Sequence, residues 1–306
     1  MPFLYLLEEI RTPVLDAFFA LITHLGSETL FMALAIIVFW CISKKRGYYL
    51  LAVGFFGTMV NQFLKLVCRV PRPWVKDPNF TIVEAARTDA TGYSFPSGHT
   101  QSAVSSLGCT ARFTGKRWLR WVCIVLTVLV AFSRMYLGVH TPADVLTALA
   151  MGVVLVFVLY PIFEKSDENP KPLYITILTL VALSFAYVLF VEFYNWPADM
   201  DGENLSHGIK NGYLLFGCGA AMLLCFFVER KYIRFEVKAP WWAQIIKVVV
   251  GLALTMAVRA GLKPVMNAIF GAHHIGTAIR YFCMVVFAVL VWPLTFPWFS
   301  RGCKRK

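Results

Sequence analysis

The sequence predicts an all-α protein, a polytopic membrane helical bundle of about nine spans. Of its 306 residues, 58% are hydrophobic and only 15% are charged. The apolar residues are gathered in runs of about 20, the length that an α-helix needs to cross the hydrocarbon core of a bilayer. Because such runs recur along most of the chain, we expect a multi-pass membrane protein rather than a soluble one.

The apolar runs define nine candidate spans in chain order. These are residues 27–43, 47–69, 97–114, 118–138, 142–163, 173–194, 208–228, 243–262 and 277–299. An earlier apolar segment, residues 13–25, is too short to span, and we expect an interfacial helix or the lead-in to the first span. Residues 1–12 carry Glu8 and Glu9 and no basic cluster, so they are not expected to be a secretory signal peptide.

Most basic residues lie in alternate connections between the predicted spans, which indicates that they share one side of the membrane. Seventeen of the 29 Lys and Arg lie in alternate connections plus the C-terminus, at residues 44–46, 112–120, 165–171, 230–238 and 301–306. By the positive-inside rule we expect the N-terminus outside and the C-terminus in the cytoplasm, which an odd number of spans requires. This distribution, rather than a nucleic-acid partner, accounts for the net charge of +12.

Two parts of the chain differ in content. The polar stretch at residues 164–172 separates a motif-bearing core, residues 1–165, from a C-terminal extension of about four helices, residues 166–306. The longest stretch outside the predicted spans, about residues 70–96, links the first two motifs and is expected to frame a site.

The eight cysteines are scattered without metal-ligand spacing, so neither a zinc site nor a structural disulfide is expected.

Three separated motifs carry the chemistry, and the predicted topology brings all three to the outer side. They read Lys-x6-Arg-Pro, Pro-Ser-Gly-His and Ser-Arg-x5-His-x3-Asp, and they comprise Lys65, Arg72, Pro73, Pro96, Ser97, Gly98, His99, Ser133, Arg134, His140 and Asp144. Ser97 can cap a helix that begins near Gly98, and Thr141-Pro142-Ala143-Asp144 is typical of a second helix start. The free amides of two helix N-termini favour a phosphate ligand.

The residue types in these motifs suit phosphoryl transfer, which needs several fixed donors around a charged phosphate. Lys65, Arg72 and Arg134 supply cations, while Ser97 and the Gly98 amide supply neutral donors. His140 and Asp144 lie about one helical turn apart, so the carboxylate can orient the ring and His140 is the candidate nucleophile. Taken singly, each residue has a structural alternative: Lys65 could reach the membrane interface, and Asp144 could be only a helix cap.

Together the motifs resemble the signature of the type 2 phosphatidic acid phosphatase superfamily, which contains metal-independent phosphatases and haloperoxidases. All eleven signature positions match, over roughly residues 27–163. The resemblance implies that Lys65, Arg72, Ser97, Gly98 and Arg134 bind phosphate, while His99, His140 and Asp144 do the chemistry. It implies a phosphohistidine at His140, with His99 protonating the leaving group and later activating water, and it implies no metal or cofactor.

The extension offers one further hypothesis. Glu192 and Arg259 lie near the outer ends of two predicted spans, and the interpretation that we favour is an ion pair between those helices. Alternatively, Arg259 contacts a second phosphate or a polar headgroup of the substrate, together with Lys263, His273, His274 or Arg280.

The sequence therefore predicts a phosphatase that hydrolyses a lipid phosphate or diphosphate at the outer face, with a bacterial plasma membrane as the expected location. Candidate substrates include polyprenyl diphosphates, phosphatidylglycerol phosphate, phosphatidic acid and phosphorylated sphingoid bases. Two alternatives stay open. One is a lipid phosphotransferase with a lipid or sugar acceptor, and the other is a transporter or scramblase in which the motifs only recognise phosphate.

Overall fold

A computed structural model describes residues 1–271 and 273–300 of the chain. These residues form helices and connecting loops and contain no β-strand. The all-α prediction is therefore confirmed for the described residues. The basic segment 301–306, on which part of the predicted orientation depends, lies outside them.

Fourteen α-helices run through the described residues. They are α1 Pro2–Glu9, α2 Pro13–Thr23, α3 Glu28–Cys41, α4 Lys44–Cys68, α5 Pro73–Lys76, α6 Gly98–Ala103, α7 Cys109–Phe113, α8 Arg117–Tyr136, α9 Pro142–Glu164, α10 Lys171–Phe193, α11 Gly202–Val228, α12 Trp241–Phe270, α13 Ile275–Val286 and α14 Phe296–Ser300. A π-helical turn, Val104–Gly108, joins α6 to α7.

Within the described ranges, seven helical segments are long and apolar enough to cross a membrane. The number becomes eight if Pro13–Gly26 and Glu28–Cys41, which meet at a bend of 47°, count as one broken span. The third predicted span, residues 97–114, corresponds to the short helical run of α6, the π turn and α7, and it is not among them. The multi-pass class is confirmed, whereas the count of nine is not, and the orientation stays a prediction.

The chain divides into two compact units. The first, which we call the motif unit, comprises Met1–Leu34, Tyr49–Pro161 and Trp196–Gly208, and it contains all eleven motif positions. The second unit comprises Ala35–Tyr48, Ile162–Asn195 and Ile209–Lys306. The predicted functional division near residue 165 stays a prediction.

The N-terminal helices brace the loops of the motif unit. Leu4 and Leu7 of α1 are buried in one cluster with Phe80 and Ile82 from the long loop. Arg11 then donates from Nε to the carbonyl of Tyr136, at 3.1 Å, at the end of α8. The segment that leads from α8 to α9 is therefore held by the first residues of the chain.

Close packing at a glycine fixes the start of α6. A Cβ atom at Gly26 would lie 2.5 Å from the carbonyl oxygen of His99 and 2.7 Å from a methyl group of Val130. Contacts this short with a backbone atom cannot be relieved by a side-chain rotation, so the position requires glycine for space rather than for backbone conformation.

Gly26→Ala should therefore destabilise the protein by about 1–3 kcal/mol, because the extra methyl group overpacks the contact with His99. The measurement is the thermal unfolding midpoint of the detergent-solubilised protein. Gly115→Ala is the matched control, since nothing lies within 4 Å of the Cβ position at Gly115. Equal midpoints for the two variants would show that the contact at Gly26 is not tight.

Candidate active site

Arg134 lies in the last turn of α8 and is completely buried. Its Nη1 donates to the hydroxyl of Thr23, the last residue of α2, at 2.8 Å. Its Nε and Nη2 are buried and have no hydrogen-bond partner among the described residues. An unpaired buried donor costs about 1–3 kcal/mol, and more when the group is charged. Two such donors on one guanidinium indicate a position built for an anion.

Arg72 joins the long loop to the segment that precedes α9. It immediately precedes α5 and donates to three backbone carbonyls: Gly92 at 3.0 Å, Thr91 at 2.6 Å and Val139 at 3.1 Å. Its Nη1 also lies 3.1 Å from Nε2 of His140. The first and third motifs therefore meet directly at this arginine.

Lys65 lies in the last turn of α4 with its side chain buried, and its Nζ donates to the backbone carbonyl of Tyr93. Asn61 lies one turn earlier on the same face and donates from Nδ2 to the carbonyl of Pro96 at 3.2 Å. Sequence reasoning missed Asn61, although a polar residue four positions before Lys65 in an apolar span was a usable signal. Together the two side chains hold the segment that carries the second motif.

The imidazole of His140 faces a carboxylate. Its Nδ1 lies 3.4 Å from Oδ2 of Asp144. The same oxygen accepts a hydrogen bond from the amide of Thr141 at 2.7 Å, while the hydroxyl of Thr141 accepts from the amide of Asp144 at 3.4 Å. The predicted cap at the start of α9 is thus confirmed. Asp144 is both a helix cap and the partner of the histidine, so the two interpretations of this residue are compatible.

Ser94 is a second residue that sequence reasoning missed. It is fully buried, and its hydroxyl donates to Oδ2 of Asp144 at 2.6 Å while lying 3.4 Å from Nδ1 of His140. Nothing in the local sequence marks it, because its partners lie about fifty positions further along the chain. Ser94 fixes the carboxylate that in turn faces the imidazole.

His140 is held in its neutral form. Burial first, and then the nearby guanidinium of Arg72 and the charges of Arg134 and Lys65, hold the pKa of the imidazole well below its usual value. With Nδ1 directed at Asp144, we assign the proton to Nδ1 and the lone pair to Nε2. That lone pair faces the side of the cluster that contains Arg72.

The second motif begins helix α6 as predicted. The hydroxyl of Ser97 accepts from the amide of Thr100 at 3.4 Å, which confirms the expected N-cap. The Ser97 amide donates to the carbonyl of Asp144 at 3.1 Å and so joins the second motif to the third. Apart from the two chain neighbours and the backbone of α6 itself, no described atom lies within 4 Å of the Cβ position at Gly98. The space beside its backbone is therefore open to a ligand.

His99 follows Gly98 in the first turn of α6. Its Nε2 is buried and has no hydrogen-bond partner within the described part of the chain. Like the two donors of Arg134, this nitrogen is available to bind a ligand.

Arg259 and Lys263, the candidate headgroup contacts, belong to the second unit.

Comparisons with known proteins identify the family of this chain. The profile of the PAP2 superfamily matches residues 45–168, and that of the PAP2 superfamily phosphatase transmembrane extension matches residues 213–304. Undecaprenyl-diphosphatase BcrC of Bacillus subtilis is 30% identical over 48% of this chain and 74% of its own length. Phosphatidylglycerophosphatase B of the same organism is 31% identical over 51% of this chain and 79% of its own length.

Among solved structures, that of Aquifex aeolicus LpxE is similar, with a TM-score of 0.45 and 25% identity over 51% of this chain and 92% of that one. The two superfamily profiles between them match both parts of the sequence. Both Bacillus relatives are matched over more than two thirds of their length. The chain belongs to the PAP2 superfamily.

Proposed function

We propose that this protein is a membrane phosphatase that hydrolyses a lipid phosphate or diphosphate through a phosphohistidine intermediate, without a metal ion. The observation that carries the proposal is the buried cluster in which unpaired donors of Arg134 and His99 accompany a neutral histidine oriented by a carboxylate. The activities named for the Bacillus relatives, on undecaprenyl diphosphate and phosphatidylglycerophosphate, support a lipid substrate.

The charge of the cluster suits a phosphomonoester. Lys65, Arg72 and Arg134 are buried cations, and Asp144 is the carboxylate in contact with the histidine. A phosphomonoester carries a charge of about −1.5 to −2 at neutral pH, which is close to the excess positive charge of this set. Donors held in a site that excludes water stabilise the charge of the transferring phosphoryl group without reorganisation.

In the first step, Nε2 of His140 attacks phosphorus. The P–N bond forms while the bond from phosphorus to the leaving oxygen breaks. Burial and the neighbouring cations lower the pKa of His99, and the negative charge of the bound phosphate opposes this effect. His99 therefore takes up a proton with the substrate and gives it to the leaving oxygen. Asp144 stabilises the positive charge that develops on the imidazole ring. In the second step His99 removes a proton from water, the water oxygen attacks phosphorus, and the P–N bond breaks to release inorganic phosphate.

The distribution of basic residues supports a site at the outer face of the membrane. The connections that bear the motifs hold few Lys and Arg, which favours the outer face. A bacterial plasma membrane is the proposed location, and it agrees with the Bacillus source of the two relatives above. At this face a lipid phosphate would reach the site from the outer leaflet.

The purified protein should release phosphate from at least one of four substrates in the presence of a chelator: polyprenyl diphosphate, phosphatidylglycerol phosphate, phosphatidic acid and sphingosine phosphate. His140→Ala should lower that rate by about a thousandfold or more, because the nucleophile is removed. Arg117→Ala, at the exposed start of α8, should leave it unchanged. Release that survives His140→Ala would refute the mechanism, and release that requires an added lipid or sugar acceptor would favour the phosphotransferase.

A phosphohistidine should be trapped when hydrolysis of the intermediate is slowed selectively. With an aryl phosphate, whose leaving group needs no proton, His99→Ala should show a burst of about one equivalent of phenol and then a turnover slower by about 10²–10⁴. Radiolabelled phosphate should remain on the protein, stable to alkali and labile to acid. His99→Ala combined with His140→Ala is the control, and label retained in that variant would contradict the assignment of His140.

A further inference from the structure

A cationic cavity lies in the second unit, between α11, α12 and α13. Its volume is about 740 Å³. Six of the residues that line it are basic: Lys210, Arg259, Lys263, His273, His274 and Arg280. No carboxylate belongs to the lining as far as the structure describes it. The two lysines and two arginines carry their charges at neutral pH, and like charges gathered in one concave site focus a positive potential in it, so the cavity favours an anion.

The ion pair expected between Glu192 and Arg259 is not formed, and that prediction is wrong. The hydroxyl of Tyr213 instead donates a hydrogen bond to Glu192. The ring of Tyr213 also packs against His273, with the ring centres 5.8 Å apart. Glu192 is thus engaged by Tyr213, and its charge also acts on His274 of the cavity lining, but it forms no ion pair with Arg259.

Two arginines of the cavity are held by one aromatic ring. The guanidinium carbons of Arg259 and Arg280 lie 5.4 Å and 5.2 Å from the centre of the Tyr281 ring. Nε of Arg280 is buried and has no hydrogen-bond partner among the described residues. A cation–π contact attracts a guanidinium to the ring without using its N–H donors, and a planar set of donors matches the oxygen atoms of a phosphate.

The position of the cavity along α12 suits the headgroup level of a membrane. From Trp241 to the residue before Arg259, α12 rises about 27 Å at 1.5 Å per residue. This length is close to the hydrocarbon thickness of about 30 Å. If α12 enters the hydrocarbon core at Trp241, Arg259 and Lys263 reach the level at which phospholipid phosphates lie.

We propose that this cavity binds one phosphate group of an anionic phospholipid headgroup. The shared chemistry is a tetrahedral phosphate held by Arg259 and Arg280, with Lys263 at the rim, and free inorganic phosphate is the other source of that chemistry. The proposal goes beyond the phosphatase activity and does not depend on it, because none of the residues involved belongs to the three motifs.

The test is the binding of dioctanoyl phosphatidylglycerol to the full-length protein, counted by native mass spectrometry. This lipid is a phosphodiester, so turnover as a phosphomonoester does not interfere. Arg259→Gln combined with Arg280→Gln should weaken one binding event by about tenfold or more, because charge-assisted hydrogen bonds to phosphate are lost. Lys231→Gln combined with Lys238→Gln removes two exposed cations of the same unit outside the cavity and is the matched control.

Further binding measurements distinguish a lipid headgroup from free phosphate as the ligand. Dioctanoyl phosphatidylcholine should bind equally to all variants, because its headgroup is neutral overall. Excess inorganic phosphate could displace phosphatidylglycerol, and its own binding could be weakened by the arginine double variant to the same extent. Both results together would assign the site to free phosphate and overturn the lipid assignment. Equal weakening of phosphatidylglycerol binding by both double variants would show that the cavity is not the binding site. If the arginine variant does not fold, Lys263→Gln, at the exposed rim, should still weaken binding more than the lysine control does.

Discussion

The buried guanidinium of Arg134 is the constraint on which the motif unit depends. A permanent charge with unpaired donors inside an apolar helical bundle is costly, and the cost must be offset either by neighbouring groups or by a ligand. Thr23 satisfies one donor, and the remaining two are left without a protein partner in the described structure. Lys65 and Arg72 add further buried positive charge, so the cluster as a whole favours a bound anion.

The surrounding fold keeps these charges in place through backbone groups. Arg72 is held by three carbonyls, and Lys65 and Asn61 hold the segment between Tyr93 and Pro96. Because these partners are carbonyls rather than carboxylates, the positive charge is oriented without being neutralised. A cluster organised in this way can bind a doubly charged phosphate and release a singly or doubly charged product, as the proposed reaction requires.

The sequence predicted the motif positions and both helix caps because those signals are local. Ser97 and Thr141 each bond within three residues, and apolar length alone indicates most of the spans. What it could not predict depends on contacts between distant parts of the chain. Ser94 reaches Asp144 across fifty positions, and Arg134 reaches Thr23 across more than a hundred. The span predicted over residues 97–114 is not confirmed, and the Glu192–Arg259 pair is wrong. The helical run of the second motif, residues 98–113, is shorter than each of the seven spans. The hydroxyl of Tyr213 donates to the carboxylate that was expected to pair with Arg259.

The most direct test of the central claim is a structure of the protein determined with tungstate, a heavy tetrahedral oxyanion whose position anomalous scattering identifies. We expect one tungstate ion in the motif unit, with its oxygen atoms within hydrogen-bond distance of Nε and Nη2 of Arg134 and of the Gly98 amide. Arg134 donors bonded to protein carbonyls, with no tungstate in the cluster at a saturating concentration, would contradict an anion site at Arg134.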